Sequence, residues 1–132
     1  MSINLKDFNL LIVEDDENLR EALCDFFVEE GANVFTANNG EEAIQTTLTE
    51  KVDLILSDIK MPVMDGIELL KSINACDHNV PLVWLMTGQS DLKEEAALAL
   101  GAEGLLSKPF KLSFVLEKIK LSLEKLANKE LV

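Results

Sequence analysis

Leu54-Ile55-Leu56-Ser57-Asp58-Ile59-Lys60-Met61-Pro62 is an apolar run that stops on one carboxylate. Three consecutive aliphatics and a small hydroxyl suit a strand buried on both faces, since a strand covered on one side alone would alternate apolar with polar. Pro62 has no N–H for a ladder and prevents the strand from continuing. Asp58 is thereby left at the carboxyl end of a buried strand. In an open α/β sheet that edge is where ligands bind.

Similar units flank this one. Leu10–Val13 is a short apolar run that ends in Glu14-Asp15-Asp16-Glu17, and behind it Leu19, Ala22, Leu23, Phe26 and Phe27 repeat at helical spacing up to Gly31. Val34–Thr36 predicts a second strand. Asn39-Gly40-Glu41-Glu42 has the spacing of a capping box, with Ala43, Ile44, Thr47 and Leu48 expected to face inward. After the central strand, Asp65-Gly66 opens a helix with Gly66, Leu69, Leu70 and Ile73 on its inner face. Pro81–Met86 reads as a fourth strand ending in Thr87-Gly88-Gln89. Asp91 and Glu94 repeat the cap spacing for a helix through Leu100, closed by Gly101. Gly104-Leu105-Leu106 is a fifth strand that runs out at Ser107-Lys108-Pro109. The last helix is expected to bury Leu112, Val115, Leu116, Ile119, Leu123 and Leu126.

Five alternations of strand and helix joined by short connections require a parallel sheet with helices on both faces and right-handed crossovers. The expected fold is α/β, a doubly wound five-stranded parallel sheet in the flavodoxin-like order 2-1-3-4-5. The chain has 132 residues and is 48% hydrophobic. That is enough for one compact core and too little for two, so residues 1–132 are expected to form a single domain. Against 24 acidic residues stand 12 basic ones, for a formal charge of -12. Such a surface repels phosphodiester backbones, and no direct nucleic-acid binding is expected. Cys24 and Cys76 have no metal-ligand spacing and read as free thiols. No stretch is long enough to cross a bilayer and no signal peptide is evident, so the expectation is a cytoplasmic protein that does not engage membranes.

With that strand order, Glu14 and Asp15 end strand 1, Asp58 strand 3, Thr87 strand 4 and Lys108 strand 5, all on one edge. Each has an ordinary reading. An acidic run complements a helix dipole, a lone aspartate makes a turn, a threonine before glycine caps, and a lysine is solvated. Together the residue types are chemically complementary. Three clustered carboxylates repel one another and need a proton or a cation. All-oxygen acidic ligation suits a hard divalent ion such as Mg²⁺, which keeps waters and accepts a phosphate oxygen. Lys108 and Thr87 would balance charge on a transferring phosphoryl group, and Asp58 is left as the nucleophile, forming an acyl phosphate.

Glu14-Asp15, Asp58-Ile59-Lys60-Met61-Pro62 with Asp65-Gly66, Thr87-Gly88 and Lys108-Pro109-Phe110 resemble the receiver domain of two-component response regulators, over about the first 125 residues. The resemblance implies a signalling switch phosphorylated on Asp58 by a histidine kinase or a histidine phosphotransfer protein, not an enzyme acting on other substrates. It implies Mg²⁺ held directly by Asp15, Asp58 and the Lys60 backbone carbonyl, with Glu14 acting through water. It also implies a cis peptide bond between Lys108 and Pro109, and a tuning role for Lys60 and Gln89 in water access. Where the family usually carries a tyrosine or phenylalanine, three residues before the lysine, this chain has Leu105, which bears on the readout rather than the chemistry.

Phe114, Lys118, Leu121 and Lys125 share the outer side of the last helix and form a candidate homodimer or effector surface with helix 4 and strand 5. His78 reads as a plain loop residue and Trp84 as core. An aspartate-nucleophile phosphatase would need a second aspartate where Lys60 stands. A flavin carrier would meet repulsion from Glu14–Glu17. A receiver that binds partners without phosphorylation would not need the whole set. A chain ending at residue 132 either acts alone through partners or is the receiver portion of a longer protein.

Overall fold

The computed structural model describes residues 3–76, 80–88 and 92–130. After a short 3-10 turn at Leu5–Asp7, the elements alternate as β1(Asn9–Val13), α1(Glu17–Glu29), β2(Asn33–Ala37), α2(Gly40–Thr49), β3(Leu54–Asp58), α3(Gly66–Asn74), β4(Leu82–Thr87), α4(Glu94–Ala99), β5(Gly104–Ser107) and α5(Leu112–Glu130). The strands form one sheet in the order β2-β1-β3-β4-β5, with every pairing parallel. The expected fold class and strand order are those observed.

Every residue of β3 is buried, as its unbroken apolar run predicts. Period-2 alternation then divides the strand residues between two cores. Leu10, Ile12, Leu54, Leu56, Trp84, Met86 and Leu106 face α1 and α5, meeting Leu23, Phe27, Val115, Ile119 and Leu123. Leu11, Val13, Ile55, Val83 and Leu85 face the other way, onto Ala43 of α2, Leu69, Leu70 and Ile73 of α3, and Ala97 of α4. Phe27 is fully enclosed. Truncating such a side chain to alanine costs about 3–5 kcal/mol. The two cores hold the strand ends in fixed register, which is what allows residues distant in sequence to form a site.

Helix entry follows the sequence at α3, where Asp65 and Glu68 complete a reciprocal capping box. It departs from the expectation at α2. Asn39 accepts from the Glu42 N–H at 2.9 Å, but the Glu42 carboxylate turns to Asn38, accepting from its backbone N–H at 3.1 Å. Leu48, expected inward, is 73% exposed, because it stands in the last turn of α2 beyond the reach of the core. α4 begins only at Glu94, with Lys93 at its N-cap and no side-chain cap, and Leu100 is its C-cap rather than part of it. Asp91, His78 and Gln89 lie outside the described residues. Gly31 and Gly101 close α1 and α4 at φ 100°. Glycine adopts that conformation without a Cβ penalty.

Candidate functional site

The acidic turn after β1 divides into two jobs. Asp16 caps α1, accepting from Asn18 N at 3.0 Å and Leu19 N at 3.2 Å. The ordinary reading of the run therefore holds for that residue. Glu14 and Asp15 are left for something else. Glu14 prolongs the β1–β2 pairing through its N–H to the Ala37 carbonyl at 3.1 Å, and only 1% of it is exposed. Its Oε2 accepts from Asp16 N at 3.2 Å and its carbonyl from Arg20 Nη1 at 2.9 Å. Asp15 is exposed.

Asp58 is the last residue of β3 and is buried. Its Oδ1 accepts from the Ile59 N–H at 2.9 Å and its carbonyl from Ser57 Oγ at 2.9 Å. Ile59 N also donates to the Met86 carbonyl at 3.0 Å, so the residue after Asp58 is tied to β4. The start of α3 presses on the same point. Gly66 N donates to Ile59 O at 2.8 Å, and a Cβ at Gly66 would run into the Asp58 carbonyl oxygen. Between them the loop turns through Val63 at φ 70°. That is the left-handed region, which a β-branched side chain rarely enters.

From the far side, β5 delivers Lys108. Its N–H donates to the Thr87 carbonyl at 2.7 Å, its bond to Pro109 is cis as expected, and Thr87 is buried at the end of β4. The ammonium lies 2.8 Å from Glu14 Oε1 and 3.2 Å from Asp58 Oδ2. The expected approach to Asp58 is there, yet the shorter contact is with Glu14, the most buried acid among the described residues. One carboxylate oxygen from each of Glu14, Asp15 and Asp58 lies within 4.8 Å of the others. Glu14, Asp15, Asp58, Thr87 and Lys108 thus converge on one rim, while Lys60 sits exposed in the loop after β3.

The electrostatics follow from this crowding. Burial, with the charge of Asp58 added, pushes the Glu14 carboxyl up to about 7 despite its hydrogen bonds to Lys108 and Asp16. Taking a carboxylate out of water disfavours its charged form. Burial pulls the Lys108 ammonium down, but the Glu14 hydrogen bond and the charges of Asp58 and Glu14 outweigh it, and the net shift is upward. Three carboxylates against one ammonium leave negative charge uncompensated. The donor set is all oxygen and open to water at Asp15, which fits a hard divalent cation such as Mg²⁺.

Two contributors are not evident from the sequence. Arg20 is the chain's only arginine, and nothing local shows that it reaches back to Glu14. Gly66 is marked by sequence as a helix start, whereas its close approach to Asp58 emerges only in three dimensions. Away from this rim, a groove of about 310 Å³ runs between α4, β5 and α5, with Trp84 and Leu105 among its lining residues and Leu98, Phe114 and Leu121 half exposed along it. Lys118 Nζ stands 5.3 Å from the centre of the Phe114 ring. At that separation a cation is drawn to the ring face. Trp84 is core, as expected, and also donates from Nε1 to Ser122 Oγ at 2.9 Å. Cys24 and Cys76 are free.

Comparison with known proteins gives one answer. A family model described as the response regulator receiver domain matches residues 10–120. The chain is 41% identical over 119 residues to the CpxR homologue, a transcriptional regulatory protein of Haemophilus influenzae, covering 90% of this chain and 52% of that one. It is 37% identical over 113 residues to sporulation initiation phosphotransferase F of Bacillus subtilis, covering 84% of this chain and 90% of the other. A CheY-like receiver domain from Methanospirillum hungatei superposes with a TM-score of 0.85 at 29% identity, covering 92% of this chain and 98% of that one. The chain spans about half the length of the first curated relatives it matches.

Proposed function

The chain belongs to the response regulator receiver family, and from that premise we propose that Asp58 accepts a phosphoryl group and that residues 1–132 act as one receiver domain. The family makes the protein a phosphorylation-controlled signalling switch. The observation that carries the residue assignment is the Lys108 ammonium bridging Glu14 Oε1 and Asp58 Oδ2 at the rim where three carboxylates meet.

The donor is a histidine kinase or a histidine phosphotransfer protein. An Asp58 carboxylate oxygen forms the new P–O bond as the P–N bond of the phosphohistidine breaks, and the histidine nitrogen keeps the electron pair. Lys108, 3.2 Å from Asp58 Oδ2, balances charge on the phosphoryl oxygens, and the Thr87 hydroxyl at the end of β4 is the donor that follows the new phosphate. Asp15, Asp58 and the Lys60 carbonyl, with Glu14 through water, would hold Mg²⁺, which when bound neutralises the transferring group. Lys60 and Gln89 regulate water access to the acceptor. The chain acts on its own acyl phosphate and on no other substrate.

The output surface is the face formed by α4, β5 and α5. Phe114 and Leu121, 48% and 46% exposed, flank the groove floored by Trp84, and Leu105 offers a smaller moving part than an aromatic would. A second copy or an effector protein docks there. A formal charge of -12 argues against direct nucleic-acid contact. Among the described residues no helix is long and apolar enough to cross a membrane, and a cytoplasmic location without membrane contact is part of the same proposal.

The test is intact-mass measurement after incubation with Mg²⁺ and a small-molecule phosphodonor. Wild type should gain one phosphate and Asp58→Asn none. An adduct on both proteins would move the acceptor elsewhere.

A further inference from the structure

We infer that Arg20 is a positioning residue for the divalent-cation site, acting by holding the Glu14 carbonyl and with it the turn that presents Glu14 and Asp15. The inference rests on reading Glu14, Asp15 and Asp58 as that site.

Arg20 stands near the start of α1, half-buried, with Asp15, Asp16, Glu17 and Glu21 all close by in sequence. Among the described residues it nevertheless makes no ion pair; the salt bridges there are both made by Lys108. Its Nη1 is spent on a backbone oxygen, Glu14 O at 2.9 Å. A guanidinium surrounded by carboxylates in sequence that bonds a carbonyl instead is serving backbone geometry rather than charge pairing.

What it holds matters for the site. Every polar group of Glu14 is engaged: the N–H by Ala37 O, the carbonyl by Arg20, Oε1 by Lys108 and Oε2 by Asp16 N. The carbonyl fixes the plane of the peptide that leads into Asp15, and so the direction in which the exposed Asp15 carboxylate leaves the chain. The approach of that carboxylate to within 4.8 Å of Glu14 and Asp58 depends on this plane.

Two effects of removing Arg20 oppose each other, and their signs separate the readings. Loss of a nearby positive charge would tighten cation binding. Loss of the pinned peptide would loosen it, and outer-shell partners that orient metal ligands are worth about 10–100-fold in affinity. The experiment is calorimetric titration of the full chain with MgCl₂ at constant ionic strength, for wild type, Arg20→Gln, Arg20→Lys and Asp15→Asn. The temperature is set where circular dichroism shows all four folded. Arg20→Gln should weaken Mg²⁺ binding by about 10-fold. Arg20→Lys should lose less, because an ammonium can still reach the carbonyl. An Arg20→Gln protein that binds as wild type does, or more tightly, overturns the positioning role; a merely structural arginine would lower the unfolding midpoint and leave the dissociation constant alone. If Asp15→Asn also binds as wild type does, the cation-site reading fails, and this inference with it.

Discussion

Glu14 and Asp15 are adjacent in sequence and opposite in environment, one closed off and one in water. The Glu14 carboxyl rises from 4.5 to about 7 on folding, chiefly through burial. Between those pH values the folded chain keeps a proton that the unfolded chain has released, so stability falls as pH rises through that window. In the metal-free protein the decline should be on the order of 3 kcal/mol, at about 1.4 kcal/mol per pKa unit. Urea titrations across the window would show it in wild type and not in Glu14→Gln. Lys108 acts with the same sign in a higher window, because its raised pKa gives stability that is complete below the unfolded value of 10.5 and is lost only as pH climbs through the folded one. A divalent cation held beside Glu14 would compete with its proton. Calorimetry should therefore find Mg²⁺ affinity increasing from about pH 6 to about pH 8, with proton release that Glu14→Gln lacks.

At the scale of elements, strain and satisfaction can be tested one loop and one helix at a time. Val63 sits at φ 70° with 73% of its surface exposed, so it holds a left-handed conformation with little burial in return. Asparagine tolerates that region, and Val63→Asn should stabilise the protein by about 1 kcal/mol, read as a higher urea midpoint. α5 is tied to β4 by the Trp84–Ser122 hydrogen bond. Ser122→Ala leaves the buried indole N–H without its acceptor and should cost about 1–3 kcal/mol. Hydrophobic spacing places α1, α3 and α5 correctly because each presents a wide apolar stripe. It misjudges Leu48 because a period carries no information about where the core ends. It also misassigns the partner of Glu42, since a glutamate side chain reaches two neighbouring backbone N–H groups and the approach angle of the chain decides between them.

For the whole molecule, ligand and partner binding are linked to folding and assembly. Mg²⁺ at about a hundred times its dissociation constant should add about 2.7 kcal/mol to stability, seen as a raised melting temperature that Asp15→Asn abolishes. Phosphorylation-dependent association, measured by light scattering or with an effector in hand, should disappear in Phe114→Ser with Leu121→Ser while Asp58 still takes a phosphate. Both residues are half exposed, so the doubly substituted protein should fold normally.

The strand order, the buried centre at β3 and the gathering of Glu14, Asp15, Asp58, Thr87 and Lys108 on one rim were legible in the chain itself, because alternation and apolar run length are local properties and the crossover rule leaves few topologies. Which oxygen the ammonium meets, which acid is closed off, and that Arg20 bonds the Glu14 carbonyl and Gly66 packs against Asp58 were decided only by the folded molecule. The Lys108–Glu14 contact joins residues 94 positions apart, and its partner is chosen by sheet register and packing depth, quantities that no neighbouring residue encodes.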